Sequence, residues 1–196
     1  MWKCSFAAVP GISHNREDYS SCQDVVQGVS EDLFSCICLS DGAGSAKHAR
    51  LGATEVVNAT INFLKSQFTN LFELQESEIA KRIIENCVLS ITTKYGDVEG
   101  FSLSDYNATL LVVATFDDKC ICAHVGDGVI GVKRENALDI VSFPWNGEYK
   151  NVTVFVTSEN AVDTIDVKKF TLTKESGFFV MSDGTQTSFY SSKDEK

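Results

Sequence analysis

The distribution of apolar residues divides the chain into many short strand-like segments and two long helical ones. Apolar residues recur every three or four positions over residues 46–68 and 76–94, which predicts two amphipathic helices. Alternating or β-branched runs predict strands elsewhere. The predicted strands cover residues 4–9, 24–30, 33–40, 109–116, 119–126, 129–134, 137–143, 151–157, 165–172 and 177–182.

The strands outnumber the helices and cluster before and after the helical pair, which favours antiparallel pairing. Turns are expected at Asp117-Asp118 and Asn136-Ala137. The pattern therefore predicts an α+β fold, with two sheets packed face to face and helices on an outer face. Because no linker or repeat interrupts residues 1–196, we expect a single domain, with a frayed end at 185–196.

Composition narrows the possible functions. With 43% apolar residues the chain can build a sizeable core, and its net charge of -10 disfavours a nucleic-acid or anionic-membrane surface. An acidic surface suits a cation-binding site instead. No secretory leader or transmembrane run is evident, so we expect a cytoplasmic protein without nucleic-acid or membrane partners.

The seven cysteines predict buried thiols rather than a disulfide framework, because their number is odd and most lie in strand-like runs. Cys36/Cys38 and Cys120/Cys122 are spaced two apart, so each pair should share a strand face. This spacing differs from the C-x-x-C pattern of zinc ribbons and disfavours zinc.

Acidic residues stand at the ends of several apolar runs. Asp41, Asp127 and Asp183 are each followed by glycine, and Asp24 begins the strand before the first pair. Carboxylates at strand ends can converge at one rim of a sheet, and Mg²⁺ and Mn²⁺ prefer such all-oxygen surroundings. Glycine after an aspartate lets the backbone turn, so that the Gly42 carbonyl could also reach a metal.

Each acidic residue also has an ordinary structural interpretation. Asp127-Gly128 could be a hairpin turn, Asp41 or Ser45 could cap the first helix, and Asp183 could close a strand. The stretch "GAGSAKHARLG" could cradle a phosphate, but it satisfies neither G-x-G-x-x-G nor the P-loop spacing.

Five short motifs, taken in order, resemble the metal-dependent protein phosphatases of type 2C, most closely a bacterial branch. These motifs are "GISH…CQD", "LSDGAGS", "NATLLVVA", "AHVGDG" and "FVMSDG", and the stretch "GEYKNVTVFVTS" adds to the likeness. The resemblance covers residues 5–184 and implies a four-layer α-β-β-α sandwich of two antiparallel sheets flanked by helices.

The resemblance also implies a site with two Mg²⁺ or Mn²⁺ ions and a third, weaker one. Asp41 would bridge two ions, and the Gly42 carbonyl and Asp183 would ligate them. Asp24 would lie near the waters bound to these ions. Asp127 would hold the weaker ion. The implied reaction is hydrolysis of phosphoserine or phosphothreonine by a metal-bridging hydroxide. The implied partners are a phosphorylated protein and a cognate kinase.

Some positions depart from the family pattern. Tyr19 stands where many members place a phosphate-binding arginine, and Arg16 is the candidate substitute. Ala43 stands where many members have histidine, and His14 or His48 could approach the site instead.

The family supplies a further metal-binding aspartate well after Ser-Asp-Gly, whereas Asp194 alone follows Asp183, and in a polar tail. The chain is therefore either part of a longer protein or has an incomplete second metal site. The leading hypothesis is a metal-dependent phosphoprotein phosphatase. The alternatives are a weakened phosphatase-like module that binds a phosphoprotein or kinase, and, last, a nucleotide-binding protein.

Overall fold

Eight strands and two long helices form the chain in the computed structural model, which describes residues 2–9, 22–134, 137–144, 153–172 and 176–185. The strands are β1 Val25–Glu31, β2 Phe34–Ser40, β3 Leu110–Phe116, β4 Lys119–Val125, β5 Val129–Arg134, β6 Ala137–Ser142, β7 Asp166–Thr171 and β8 Ser176–Met181. The helices are α1 Ala49–Phe72, α2 Glu76–Tyr95 and the short α3 Ala161–Thr164, with a 3₁₀ turn at Leu103–Tyr106.

The strands form two sheets in which every pairing is antiparallel. The larger sheet has the order β1-β2-β3-β4-β7, and the smaller one has the order β6-β5-β8. The predicted fold class, two antiparallel sheets flanked by helices, is confirmed. In the described part of the chain, α1 and α2 pack on the five-stranded sheet.

Two apolar layers account for this arrangement. One lies between the helices and the five-stranded sheet, where Val56 and Leu64 of α1 meet Val112 of β3. The other lies between the sheets, where Leu111 and Val113 of β3 meet the smaller sheet. Strand β3 is buried on both faces, which explains its continuous apolar sequence.

The cysteine predictions agree with the fold. All seven thiols are free, and six of them are buried. Cys36 and Cys38 lie in the layer beneath the helices, whereas Cys120 and Cys122 lie between the sheets. Each pair therefore shares one face of its strand.

The first predicted strand, residues 4–9, is wrong. This segment has no ladder partner among the described residues and packs through side chains, since Cys4 and Phe6 lie over Gly28, where a Cβ would come within 2.9 Å of Cys4 Cβ. The Ser30 hydroxyl donates to the Trp2 carbonyl at 2.7 Å.

Four other predictions need comment. Residues 153–157 are irregular rather than a strand, because Val156 N–H bonds singly to the Ala108 carbonyl. Helix α1 begins at Ala49, not at residue 46. The Asp117-Asp118 turn is confirmed, whereas Asn136 lies outside the described residues.

No helix in the described ranges combines the length and apolar character needed to cross a membrane.

Candidate metal site

Four aspartates from both sheets meet at one end of the sandwich. Asp24 precedes β1, Asp41 follows β2, Asp127 lies between β4 and β5, and Asp183 follows β8. The pKa of Asp41 reflects this proximity and is raised to about 8. Burial is the largest cause, followed by the negative charges of Asp24, Asp183 and Asp127. The predicted convergence of these carboxylates at one rim is what the structure shows.

Asp41 is the central member of this group. Its half-buried carboxyl group lies among the charges of Asp24, Asp183 and Asp127, and after burial Asp24 has the largest effect on its pKa. Because nearby like charges favour the neutral form of a carboxyl group, these neighbours raise the pKa of Asp41 in the same direction as burial does. Asp183 also has a raised pKa, first because the surrounding protein partly desolvates its carboxyl group and next because of the charge of Asp127.

The donor set fits a hard divalent cation. Carboxylate oxygens in water-accessible surroundings are the preferred ligands of Mg²⁺ and Mn²⁺, and repulsion among these acids would be relieved by such an ion. Among the described residues, no group of three or more His, Cys, Asp or Glu side chains has the arrangement of a formed metal centre.

Strand β3 fixes the backbone of Asp41. Asp41 N–H donates to Thr109 Oγ1 at 2.9 Å, and its carbonyl accepts from Thr109 N–H at 2.9 Å. The fully buried Ser40 hydroxyl donates to the Thr109 carbonyl at 2.5 Å. Thr109 thus holds the end of β2 through both its backbone and its side chain.

Gly42 is required at its position by a close approach rather than by a special backbone angle. A Cβ there would lie 2.6 Å from the Ala49 carbonyl carbon and oxygen, at the start of α1. Its N–H donates to the Gln23 carbonyl at 3.3 Å, while Ala43 N–H donates to the Asn107 carbonyl at 2.9 Å. These amides are therefore already bonded within the protein.

The same contacts count against a phosphate-cradling loop, because such a loop needs free backbone N–H groups at the helix start. The predicted capping roles are also wrong. The residue before α1 is His48, which makes no side-chain cap, and neither Asp41 nor Ser45 occupies that position. The helix start is instead held by a bond from His48 N–H to the Asp105 carbonyl.

Asp127 lies where the chain passes from one sheet to the other. Because β4 belongs to the five-stranded sheet and β5 to the three-stranded sheet, the hairpin interpretation of Asp127-Gly128 is wrong. Gly126 has φ 120°, and a Cβ on it would lie 2.5 Å from Thr109 Cγ2. The Thr153 hydroxyl donates to Asp127 Oδ2 at 2.7 Å and so orients this carboxylate.

Asp183 begins a single helical turn after β8 and is exposed. The preceding Ser182 is buried, and its hydroxyl donates to Asp24 Oδ2 at 2.9 Å. The two sheets are thus connected by a hydrogen bond directly beside the carboxylates. Thr109, Thr153 and Ser182 were not among the predicted site residues, although the repeated Ser-Asp-Gly could have indicated the serine.

The remaining candidates have different outcomes. Arg16, His14, Tyr19 and Asp194 lie outside the described residues. His48 is placed with its ring 5.1 Å from that of Tyr106, centroid to centroid.

The family assignment follows from sequence comparison. The family model of protein phosphatase 2C matches residues 11–196, nearly the whole chain. This chain belongs to the protein phosphatase 2C family. The resemblance found from the five motifs is confirmed.

The relatives are bacterial. The chain is 30% identical over 174 residues to serine/threonine-protein phosphatase 3 of Escherichia coli (strain K12), covering 84% of this chain and 66% of that protein. It therefore spans slightly less than two thirds of that relative.

Solved structures show the same fold. The S. agalactiae serine/threonine phosphatase matches with a TM-score of 0.59 and 22% identity, over 92% of this chain and 79% of that one. RsbX in complex with magnesium matches with a TM-score of 0.59 and 13% identity, over 90% of this chain and 71% of that one. At these identities the likeness is one of architecture.

Proposed function

We propose that this chain is a metal-dependent protein serine/threonine phosphatase that hydrolyses phosphoserine and phosphothreonine. The observation that carries the proposal is Asp41, a half-buried carboxyl whose pKa is raised to about 8 by burial and by the charges of Asp24, Asp183 and Asp127. A protein gains nothing in stability from collecting like charges, so their convergence points to a cation.

The residues proposed to hold Mg²⁺ or Mn²⁺ are Asp41, the Gly42 carbonyl and Asp183, with Asp127 near a further, weaker ion. Bound cations would supply activation of an attacking water and would neutralise charge on the phosphoryl group. Asp24 lies beside Asp41 and would orient water through its free lone pairs, since the Ser182 hydroxyl occupies one of its oxygens. Arg16 remains the proposed phosphate-binding residue.

The surroundings support this assignment of roles. Thr109 holds the backbone of Asp41. The carboxylates of Asp127 and Asp24 accept hydrogen bonds from the hydroxyls of Thr153 and Ser182, which restrict their positions. The proposed substrates are cytoplasmic phosphoproteins, and the cytoplasm is where seven free thiols would persist. A cognate kinase is the proposed partner that would supply them.

The test is phosphate release from a phosphothreonine peptide at increasing Mn²⁺. We expect metal-dependent turnover that falls by about a thousandfold in Asp41→Asn, because the shared ligand loses its charge. Asp139→Asn, at an exposed position of β6, is the matched control and should retain activity. Binding of the phosphopeptide by folded protein without turnover at millimolar Mn²⁺ would contradict the proposal and favour a binding module.

A further inference from the structure

A buried polar network lies between the two sheets, beside the candidate metal site. His124 of β4 is 3% exposed, and its Nδ1 lies 2.9 Å from the Ser142 hydroxyl of β6. That hydroxyl donates to Asp166 Oδ2 of β7 at 2.7 Å. The network therefore joins one strand of the smaller sheet to two strands of the larger one.

The direction of these hydrogen bonds determines which nitrogen of the His124 imidazole carries the hydrogen. A hydroxyl has one hydrogen, and since Ser142 donates it to Asp166, the hydroxyl must accept from Nδ1–H of His124. Burial lowers the pKa of His124 to about 4, against the opposing charges of Asp166 and Asp127, so the ring is neutral. Its lone pair is then on Nε2, which has no hydrogen-bond partner among the described residues.

Stability alone does not explain histidine at this position. An unpaired buried acceptor lowers the stability of the folded protein, whereas an apolar side chain of similar volume would avoid this loss. The Ser142 hydroxyl would keep its bond to Asp166 after such a replacement. The imidazole must therefore do something other than fill space.

The position of His124 indicates what it does. The residue lies three positions before Asp127, at the end of β4, where the chain leaves the larger sheet for the smaller one. The backbone of Gly126 lies beside the imidazole and raises the pKa of His124, against the larger effect of burial. Gly126 itself has φ 120° and packs against Thr109, which also holds Asp41.

We propose that His124 is a positioning residue: through Ser142 and Asp166 it fixes the Gly126-Asp127 turn, so that the Asp127 carboxylate faces the other acids and can serve a cation. This inference rests on the proposed function. It assigns His124 no contact with substrate or metal. The residue acts through the backbone between positions 124 and 127.

Three variants test the proposal. His124→Leu removes the hydrogen bond to Ser142 and the unpaired acceptor together. His124→Asn retains a donor near the Nδ1 position and should rescue the function. Thr60→Val is the matched control, since Thr60 is fully buried between α1 and α2 and bonds to Cys87 Sγ at 3.3 Å, away from the aspartates.

Each variant is measured in three ways: Mn²⁺ binding by calorimetry, phosphopeptide turnover against Mn²⁺ concentration, and thermal unfolding in chelator. We expect His124→Leu to melt no lower than wild type yet to bind its weakest Mn²⁺ about tenfold less tightly. Turnover should recover at high Mn²⁺, and His124→Asn should bind within about threefold of wild type. Thr60→Val should alter melting without altering Mn²⁺ binding.

The contrary outcomes are distinct. If the wild type is active and His124→Leu binds Mn²⁺ as tightly as the wild type does, the positioning role is overturned but the proposed function is not. A His124→Leu protein that fails to fold would also overturn it, because histidine would then be structural. A wild type that neither binds Mn²⁺ nor releases phosphate would overturn the proposed function and this inference together.

Discussion

The two Ser-Asp-Gly segments of this protein have the same sequence but different surroundings. The first ends β2, inside the five-stranded sheet, where Thr109 and Ala49 enclose Asp41 and Gly42. The second ends β8, at the edge of the three-stranded sheet, where Asp183 is exposed and a Cβ on Gly184 would meet nothing within 4 Å. A tripeptide therefore specifies a turn and a carboxylate, whereas the neighbouring strands determine how rigidly that carboxylate is held.

Replacing Gly42 or Gly184 with alanine should give the largest difference in stability between the two segments. Gly42→Ala places a methyl group 2.6 Å from the Ala49 backbone and should lower the free energy of unfolding by about 3 kcal/mol. Gly184→Ala should remain within about 0.5 kcal/mol of wild type. Urea unfolding measures both, and equal stabilities would show that the first segment is as open as the second.

The second largest effect should be the pH dependence of the free energy of unfolding, measured in chelator. Because the pKa of Asp41 is raised to about 8 from 3.8, the folded state binds more protons than the unfolded state between these values. Stability contributed by this group is therefore present at low pH and is lost as pH rises, by up to about 1.4 kcal/mol per pH unit. Asp183, whose pKa is also raised, adds in the same direction.

His124 opposes this trend at lower pH. Its pKa falls from 6.5 to about 4 on folding, so its contribution is lost as pH falls through that window. The two effects should nearly cancel between about pH 4 and 6.5, leaving a decline of about 2 kcal/mol from pH 6.5 to 8. Asp41→Asn should abolish most of this decline, and Asp183→Asn should abolish less of it. An unchanged decline in Asp41→Asn would contradict the central position of Asp41.

Removing the two serine hydroxyls should have the smallest effect on stability. Ser40→Ala leaves the Thr109 carbonyl without its side-chain donor and should cost about 1 kcal/mol in urea unfolding. Ser182→Ala should cost about half as much, since the freed Asp24 carboxylate lies at the site rim where water can reach it. It should, however, raise the Mn²⁺ concentration needed for turnover. If Ser182→Ala cost more than Ser40→Ala, the second segment would be the more rigid one.

The layers of the fold and the four carboxylates were predictable because both depend on local patterns. Apolar periodicity predicted all eight strands and both long helices. Acids at the ends of predicted strands led to the expectation that Asp24, Asp41, Asp127 and Asp183 lie near one another. The hairpin interpretation of Asp127-Gly128 failed because a turn within a sheet and a crossing between sheets have similar local sequences.

The supporting residues could not be predicted in the same way. Thr153 is 26 positions from Asp127, and Ser182 is 158 positions from Asp24, so their pairing depends on tertiary packing rather than on spacing. The network of His124, Ser142 and Asp166 also requires knowing which strands of the two sheets face each other. Hydroxyl-bearing residues are common throughout the chain, and sequence alone does not distinguish these from others.

The carboxylates lie on both sides of the seam between the two sheets, and this has a mechanical consequence. Asp24 and Asp41 belong to the larger sheet, while Asp183 belongs to the smaller one. A cation held among them would be a crosslink, and the two halves of the sandwich would then resist separation at that end. Ionic conditions would thereby control how readily the molecule opens, and the amide protons of β8 would exchange with solvent more slowly when the crosslink is present.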